Sequence, residues 1–192
     1  MDVKEAIYTR RAVREFSDEA VDRETIRRLI DGAIQAPSAV NEQAWSFSVV
    51  RAKTLLARIS DQAKRHMLKI PPKGLASHHF QDLSDPDFNI FYHAPVLIVI
   101  SSMTKNQWAV ENCALAAENL MLSACAAGLG TCWIGFAQTW LETADGKVAL
   151  ELPESYLPVA PIIVGHPKSA PPPVPRKEPE IRWIGEAATL RK

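Results

Sequence analysis

Apolar residues along this chain recur with two spacings, one helical and one strand-like, and they predict helices interleaved with strands. Val3, Ala6 and Ile7 mark a short first helix that runs into the basic cluster Arg10, Arg11 and Arg14. Asp22 is placed to cap a second helix with the core stripe Ile26, Leu29, Ile30, Ala33 and Ile34, and Pro37 stops it. Phe47 and Val49 alternate with Ser46 and Ser48, as in a half-buried strand, and Leu55, Leu56, Ile59 and Ala63 fit a third helix. Val96 to Ile100 is a continuous apolar run, which predicts a strand covered on both faces. Val110, Cys113, Ala114, Ala117, Leu120, Met121 and Ala124 follow at helical spacing in an Ala-rich segment, so this helix is expected at the centre, with Gly128 as its stop. A short strand at Thr131–Ile134, a polar helical region from Thr139 to Leu150, and a strand at Val159–Val164 around Pro161 complete the regular elements.

Two stretches break the pattern. Residues 67–92 hold Pro71, Pro72, Gly74, His78, His79 and Pro86 with little periodicity, and read as an excursion or lid. Residues 166–192 are proline-rich and extended, yet carry Ile181, Trp183 and Ile184. Such groups are wasted in water, so an arm laid across a neighbouring subunit is expected. With no internal repeat and no long linker, residues 1–192 read as a single α+β domain with helices packed around a central sheet.

Charge narrows the chemistry. Lys plus Arg and Asp plus Glu number 22 each, so no global field draws the chain to nucleic acid or to an anionic membrane. An anion must be held by a local cluster. No apolar run approaches the roughly 20 residues of a membrane span, and the N-terminus lacks a signal-peptide core. Cys113, Cys125 and Cys132 are an odd number without a Cys-x-x-Cys pair, as expected of reduced thiols in a cytoplasmic protein.

Three segments can carry chemistry. Arg10-Arg11-Ala12-Val13-Arg14 packs guanidinium groups closely enough to repel one another unless they are solvated or face an anion such as a phosphate. Ala36 to Trp45 gathers Ser38, Asn41 and Gln43, whose donors and acceptors suit a heterocycle with alternating carbonyls and ring nitrogens. Ala127 to Gly135 places glycines where a backbone could approach a ligand. A dinucleotide fingerprint would run strand, glycines, helix, and here the order is reversed. Each segment alone also has a plain reading: a solvated basic turn, an ordinary capped loop, and a core Trp133.

Taken together, Arg10–Phe16, Pro37–Trp45, the strand introduced by Ala94-Pro95, the helix beginning near Glu111, and Gly128–Gly135 resemble the nitroreductase family of flavoproteins across nearly the whole chain. The resemblance implies FMN as cofactor, NADH or NADPH as reductant, and a nitroaromatic, quinone or similar electron-poor acceptor. It implies a mostly antiparallel sheet surrounded by helices, in an intertwined homodimer with exchanged C-terminal arms. Arg10 and Arg11 would reach the phosphate and ribityl chain, and Arg14 the pyrimidine edge of the flavin. Pro37, Ser38, Ala39, Asn41 and Gln43 would come onto the flavin across the dimer interface. Thr131, Trp133, Ile134 and Gly135 would line the other side of the ring, and Arg176, with Lys177 as the alternative, would complete the phosphate site. Ala12 and Ala44 stand where the family commonly has Ser and Pro.

Flavin N5 would carry the reaction, so no catalytic side chain is assigned, and His78-His79 lack metal-ligand spacing. Phe80, Phe88, Phe91 and Tyr92 either pack over the substrate pocket or fill the core. The alternatives are enone reduction or reductive dehalogenation on the same fold, and a flavin-binding regulatory protein with little turnover.

Overall fold

A strand covered on both faces needs two cores, and the sequence Val96–Ser102 has them. A computed structural model describes residues 1–70 and 83–185. Its elements in chain order are α1 (Val3–Thr9), α2 (Arg23–Ala33), β1 (Trp45–Val50), α3 (Lys53–Lys69), β2 (Val96–Ser102), α4 (Ala109–Ala126), β3 (Gly130–Trp133), α5 (Gly135–Leu141), α6 (Ala144–Ala149) and β4 (Leu157–Gly165). The strands form an antiparallel sheet in the order β1-β2-β4-β3. Leu97 and Val99 point into a core shared with Ile59 and Ala63 of α3 and Leu141 of α5. Val96, Ile98 and Ile100 point the other way, onto Ile26 and Leu29 of α2 and Leu120 of α4. Each of these aliphatic side chains contributes roughly 1.5–3 kcal/mol on burial, and together they fix the register of the sheet.

Local signals set the ends of the helices. Asp22 accepts a 2.8 Å bond from the Thr25 N–H, which caps α2 and lowers the pKa of the Asp22 carboxyl below its ordinary value. At the end of α4, Gly128 takes φ +76°, Leu129 N–H donates to the Ala124 carbonyl and Gly128 N–H to that of Cys125. This double closure needs a left-handed residue, which is why glycine stands there.

The structure departs from the hydrophobic pattern in three places. The buried stripe of α4 is Ala109, Asn112, Cys113, Ala116, Ala117, Leu120, Met121 and Ala124, so Val110 is not in the core and faces outward. Val3 and Ile7 of α1, Ile34 at the end of α2 and Val49 on the edge strand β1 are exposed as well. The region expected as helix from Thr139 begins earlier, at Gly135, and breaks where Thr143 caps α6. Pro161 lies inside an interior strand. It is tolerated because its carbonyl accepts the Ile134 N–H at 2.8 Å, just past the last β3–β4 pair, Trp133 with Ile162. The missing donor faces that same side, where the ladder has already ended.

Of the excursion, residues 71–82 lie outside the described residues, and His78, His79 and Phe80 with them. Its second half is held from α3. Lys64, buried to 7% exposure, donates to the carbonyls of Asp85 (3.0 Å), Pro86 (3.0 Å) and Phe88 (2.9 Å). One turn earlier Ser60 accepts the Ile90 N–H at 3.1 Å. Phe91 fills the core, whereas Phe88 and Tyr92 pack at its margin. The described tail beyond Lys168 forms no helix or strand, and Ile181, Trp183 and Ile184 are exposed. Among the described residues no helix is long and apolar enough to cross a membrane.

Replacing Lys64 by Met keeps the apolar stem and removes the donor for three carbonyls. The expected loss of stability is about 2–3 kcal/mol, read as a lower denaturant midpoint at constant slope. An unchanged midpoint would refute the bracing role.

Candidate functional site

The basic segment is zipped onto the edge of the sheet. α1 ends at Thr9, and the chain turns at Arg10 into an extended strip. Ala12 pairs with Thr131 of β3, and the Val13 N–H donates to the Thr131 carbonyl at 2.9 Å. Further along, Phe16 pairs with Pro167, Ser17 N–H bonds the His166 carbonyl at 2.8 Å and Lys168 N–H bonds that of Glu15 at 3.1 Å. Two glycines make room. A Cβ on Gly130 would stand 2.7 Å from the Val13 Cβ, and one on Gly165 would stand 2.7 Å from the Phe16 ring.

This docking joins the strip of Arg10, Arg11 and Arg14 to Thr131, at the head of the segment that holds Trp133, Ile134 and Gly135. Thr131 and Ile134 are buried, Trp133 is half-buried, and Gly135 is exposed where it opens α5. Arg10 and Arg14 lie close enough to Cys132 to act on its thiol, although burial dominates and raises its pKa above the ordinary value. Arg10 Nε is 3.7 Å from Glu118 of α4. Arg11 folds back: its Nη1 donates to the carbonyls of Tyr8 (2.8 Å) and Arg10 (2.7 Å), closing the negative end of α1, and its Nε is buried without a partner. The three cysteines are unpaired, and burial pushes the Cys113 thiol up to about 12.

The second segment is strained. Val40, Asn41 and Gln43 take φ of 49°, 55° and 51°, a left-handed backbone that costs non-glycine residues of order 1–3 kcal/mol each. Val40 is also 95% exposed. The loop is clamped in this shape. Ala39 N–H bonds Asn112 Oδ1 at 2.9 Å, Gln43 N–H bonds Ser38 Oγ at 3.0 Å, and Gln43 Nε2 donates to Asn41 Oδ1 at 2.8 Å. Trp45 Nε1 donates to the Asn112 carbonyl, and Asn106 Nδ2 to both carboxylate oxygens of Glu42. Pro37 is exposed at its start.

One chain does not bring the two segments together. Trp45 stands opposite Ser102, and Ser102 opposite Leu157, whereas Thr131 stands opposite Val164 and Val164 opposite Val96. The six steps from Val96 to Ser102 measure about 20 Å at the usual strand rise. α4 agrees: Asn112 holds the loop, while Thr9 Oγ1 touches Cys125 Sγ at 3.7 Å, thirteen residues or about 20 Å along the axis. Arg176 and Lys177 lie exposed on the tail.

Sequence reasoning missed two contributors and one contact. Asn112 is a polar residue at a buried position of an apolar helix, and that mismatch was its signal. Lys64 sits likewise on the buried face of α3. Tyr92 was singled out among the aromatics, but nothing in the sequence linked it to Arg14: its ring lies 5.8 Å from the Arg14 guanidinium carbon, and it and His93 take φ of 52° and 56°.

Residues 7–166 match the Nitroreductase family. The chain belongs to this family. A relative from Methanothermobacter thermautotrophicus, provisionally named NADH dehydrogenase/NAD(P)H nitroreductase, is 32% identical over 176 residues, 89% of this chain and 80% of that protein. The iodotyrosine deiodinase of Haliscomenobacter hydrossis is 32% identical over 88 residues, 46% of this chain and 39% of its own. The nitroreductase of Desulfitobacterium hafniense, solved with bound FMN, superposes with a TM-score of 0.81 at 23% identity, covering 96% of this chain and 99% of that one. The nitroreductase fold therefore extends over the helices and the antiparallel sheet described above.

Gly130→Ala tests the zipped strip directly. The added methyl must displace Val13, at a cost of about 1–3 kcal/mol, and it loosens the segment that carries the arginines. A thermal midpoint equal to that of the parent would show that the strip does not depend on this close approach.

Proposed function

We propose that this chain is a single-domain FMN oxidoreductase that works as a homodimer, taking hydride from NADH or NADPH and reducing a nitroaromatic, quinone or similar electron-poor acceptor. The observation that carries the reading is the strip of three arginines hydrogen-bonded to β3, in a member of the nitroreductase family. Its donor set fits the cofactor: guanidinium groups match phosphate oxygens in pairs, and the orphaned Arg11 Nε is a donor that a phosphate or ribityl oxygen would satisfy. When bound, FMN supplies the two-electron redox chemistry itself. Arg10 would hold the phosphate, exchanging its long ion pair with Glu118 for a shorter one. Arg11 keeps the end of α1 closed and offers its remaining edge. Arg14 holds positive charge at the pyrimidine edge, where reduction builds up negative charge. Thr131, Trp133, Ile134 and Gly135 form a wall that keeps water from one side, and Arg176 completes the phosphate grip.

Pro37, Ser38, Ala39, Asn41 and Gln43 belong to the partner's half of the same site. The separation of about 20 Å along the sheet supports that assignment, because a two-fold axis can bring one chain's loop to the other's arginines. The exposed apolar residues Val3, Ile7, Tyr8, Trp108, Val110 and Leu115 give such a dimer a surface to bury, and the arm with Trp183 and Ile184 crosses onto the partner. Unpaired cysteines fit a cytoplasmic setting. A second reading, reductive dehalogenation at the same site, is favoured by the partial likeness to iodotyrosine deiodinase.

The native protein is expected to be yellow, with a flavin spectrum that bleaches when NADH or NADPH is added without oxygen. A colourless protein that binds no added FMN would overturn the proposal. Arg10→Ala removes a charge-assisted contact and should weaken FMN retention about ten- to a hundred-fold, measured by equilibrium dialysis. Equal retention would move the phosphate elsewhere.

A further inference from the structure

Arg14 stands on an exposed strip, and a long side chain there samples many rotamers. Among the described residues no carboxylate lies within ion-pair distance of it. What it meets is the ring of Tyr92, 5.8 Å from the guanidinium carbon, and both line a cavity of about 480 Å³ with Phe88, His93 and the carboxylates of Asp85 and Asp87. Tyr92 itself is held on several sides. The Phe88 ring meets it edge-on, with centroids 5.7 Å apart and planes at 83°. Its N–H bonds the Asn89 carbonyl at 2.9 Å, and the turn closes through Ala94 N–H to the Phe91 carbonyl at 2.9 Å. Lys64 and Ser60 fasten the preceding residues to α3, and Pro95 leads directly into β2. The left-handed backbone at Tyr92 and His93 persists because these braces over-determine it.

We propose that Tyr92 is a positioning residue, whose braced ring pins the Arg14 guanidinium at the flavin edge and so helps to set the reduction potential of the bound flavin. The inference rests on the reading that Arg14 faces that edge. A guanidinium free to swing lets its charge be screened by water, whereas one pinned over a ring acts from a fixed point. The described part of the excursion, anchored to α3 by Lys64 and Ser60, thereby connects to the redox site through the Tyr92 ring.

The test uses the FMN-loaded dimer and compares the ratio of reduced to oxidised FMN affinity, obtained from the potential against a reference dye. Tyr92→Leu is expected to lower this ratio about two- to five-fold, the range for an exposed cation–π contact, and Tyr92→Phe to leave it unchanged. Arg14→Ala should lower it further, and Arg14→Ala with Tyr92→Leu no further than Arg14→Ala alone. A ratio unmoved by Tyr92→Leu while Arg14→Ala moves it overturns the positioning role, as do additive effects or an equal loss in Tyr92→Phe. A ratio unmoved by Arg14→Ala overturns the placement of Arg14 and the proposal with it. If Tyr92→Leu does not fold, Tyr92→Asn, which suits a left-handed backbone and lacks a ring, gives the same comparison.

Discussion

The bond from the Val13 N–H to the Thr131 carbonyl ties a charged strip to the edge of an apolar sheet, and the rest of the site depends on it. A strip carrying Arg10, Arg11 and Arg14 would repel itself into solvent if it were free. Docked on β3, it is ordered before any ligand arrives, so ordering it costs nothing further on binding. Gly130 and Gly165 matter for the same reason, since a methyl group at either would meet Val13 or Phe16 and lift the strip off. The buried faces of β2 and β4 then supply the rigidity that the strip borrows.

The second requirement is control of strain. Val40, Asn41, Gln43, Tyr92 and His93 all hold left-handed backbone without glycine, and all lie in or beside the candidate site. Such conformations survive only where neighbours fix them. Asn112 and Glu42 clamp one loop, and Lys64 and Ser60 clamp the other. Asn112, Lys64 and Ser60 are polar side chains set on helices that are otherwise apolar on that face. The helices therefore both close the core and hold the two loops in shapes the loops would not keep alone.

Much of the architecture was legible in the sequence because burial leaves a period. The doubly covered β2, the Asp22 cap and the Gly128 stop all followed from local chemistry. The mistakes share one cause. Ile34 was assigned to a core stripe, and Ile7 and Val110 to helical apolar patterns, because they are apolar, yet the chain leaves all three exposed. An apolar period shows that a face is buried against something, and it does not say whether the cover is the same chain. The strand around Pro161 was also read correctly, and the short length of β3 explains why an interior strand accepts it. The site was legible as three segments but not as an assembly. Nothing in the linear order places the Ser38 loop and Thr131 at opposite ends of the sheet, and nothing pairs Arg14 with Tyr92.

Those misplaced apolar residues and the split site have one physical explanation. A chain that leaves α1 and the outer face of α4 apolar is under-buried by itself, and a chain whose amide-rich loop lies about 20 Å along the sheet from Thr131, where its basic strip docks, does not surround one ligand with both. The proposed pairing about a two-fold axis would answer both at once, if the operation that covers the apolar faces also carried each loop toward the other chain's basic strip. Strain in the Val40 loop then has a use. A β-branched side chain forced outward at 95% exposure gains nothing within its own chain, and it becomes favourable where a second surface covers it. The same interface would complete the fold and the site, so a variant that weakens the pairing should lose both together.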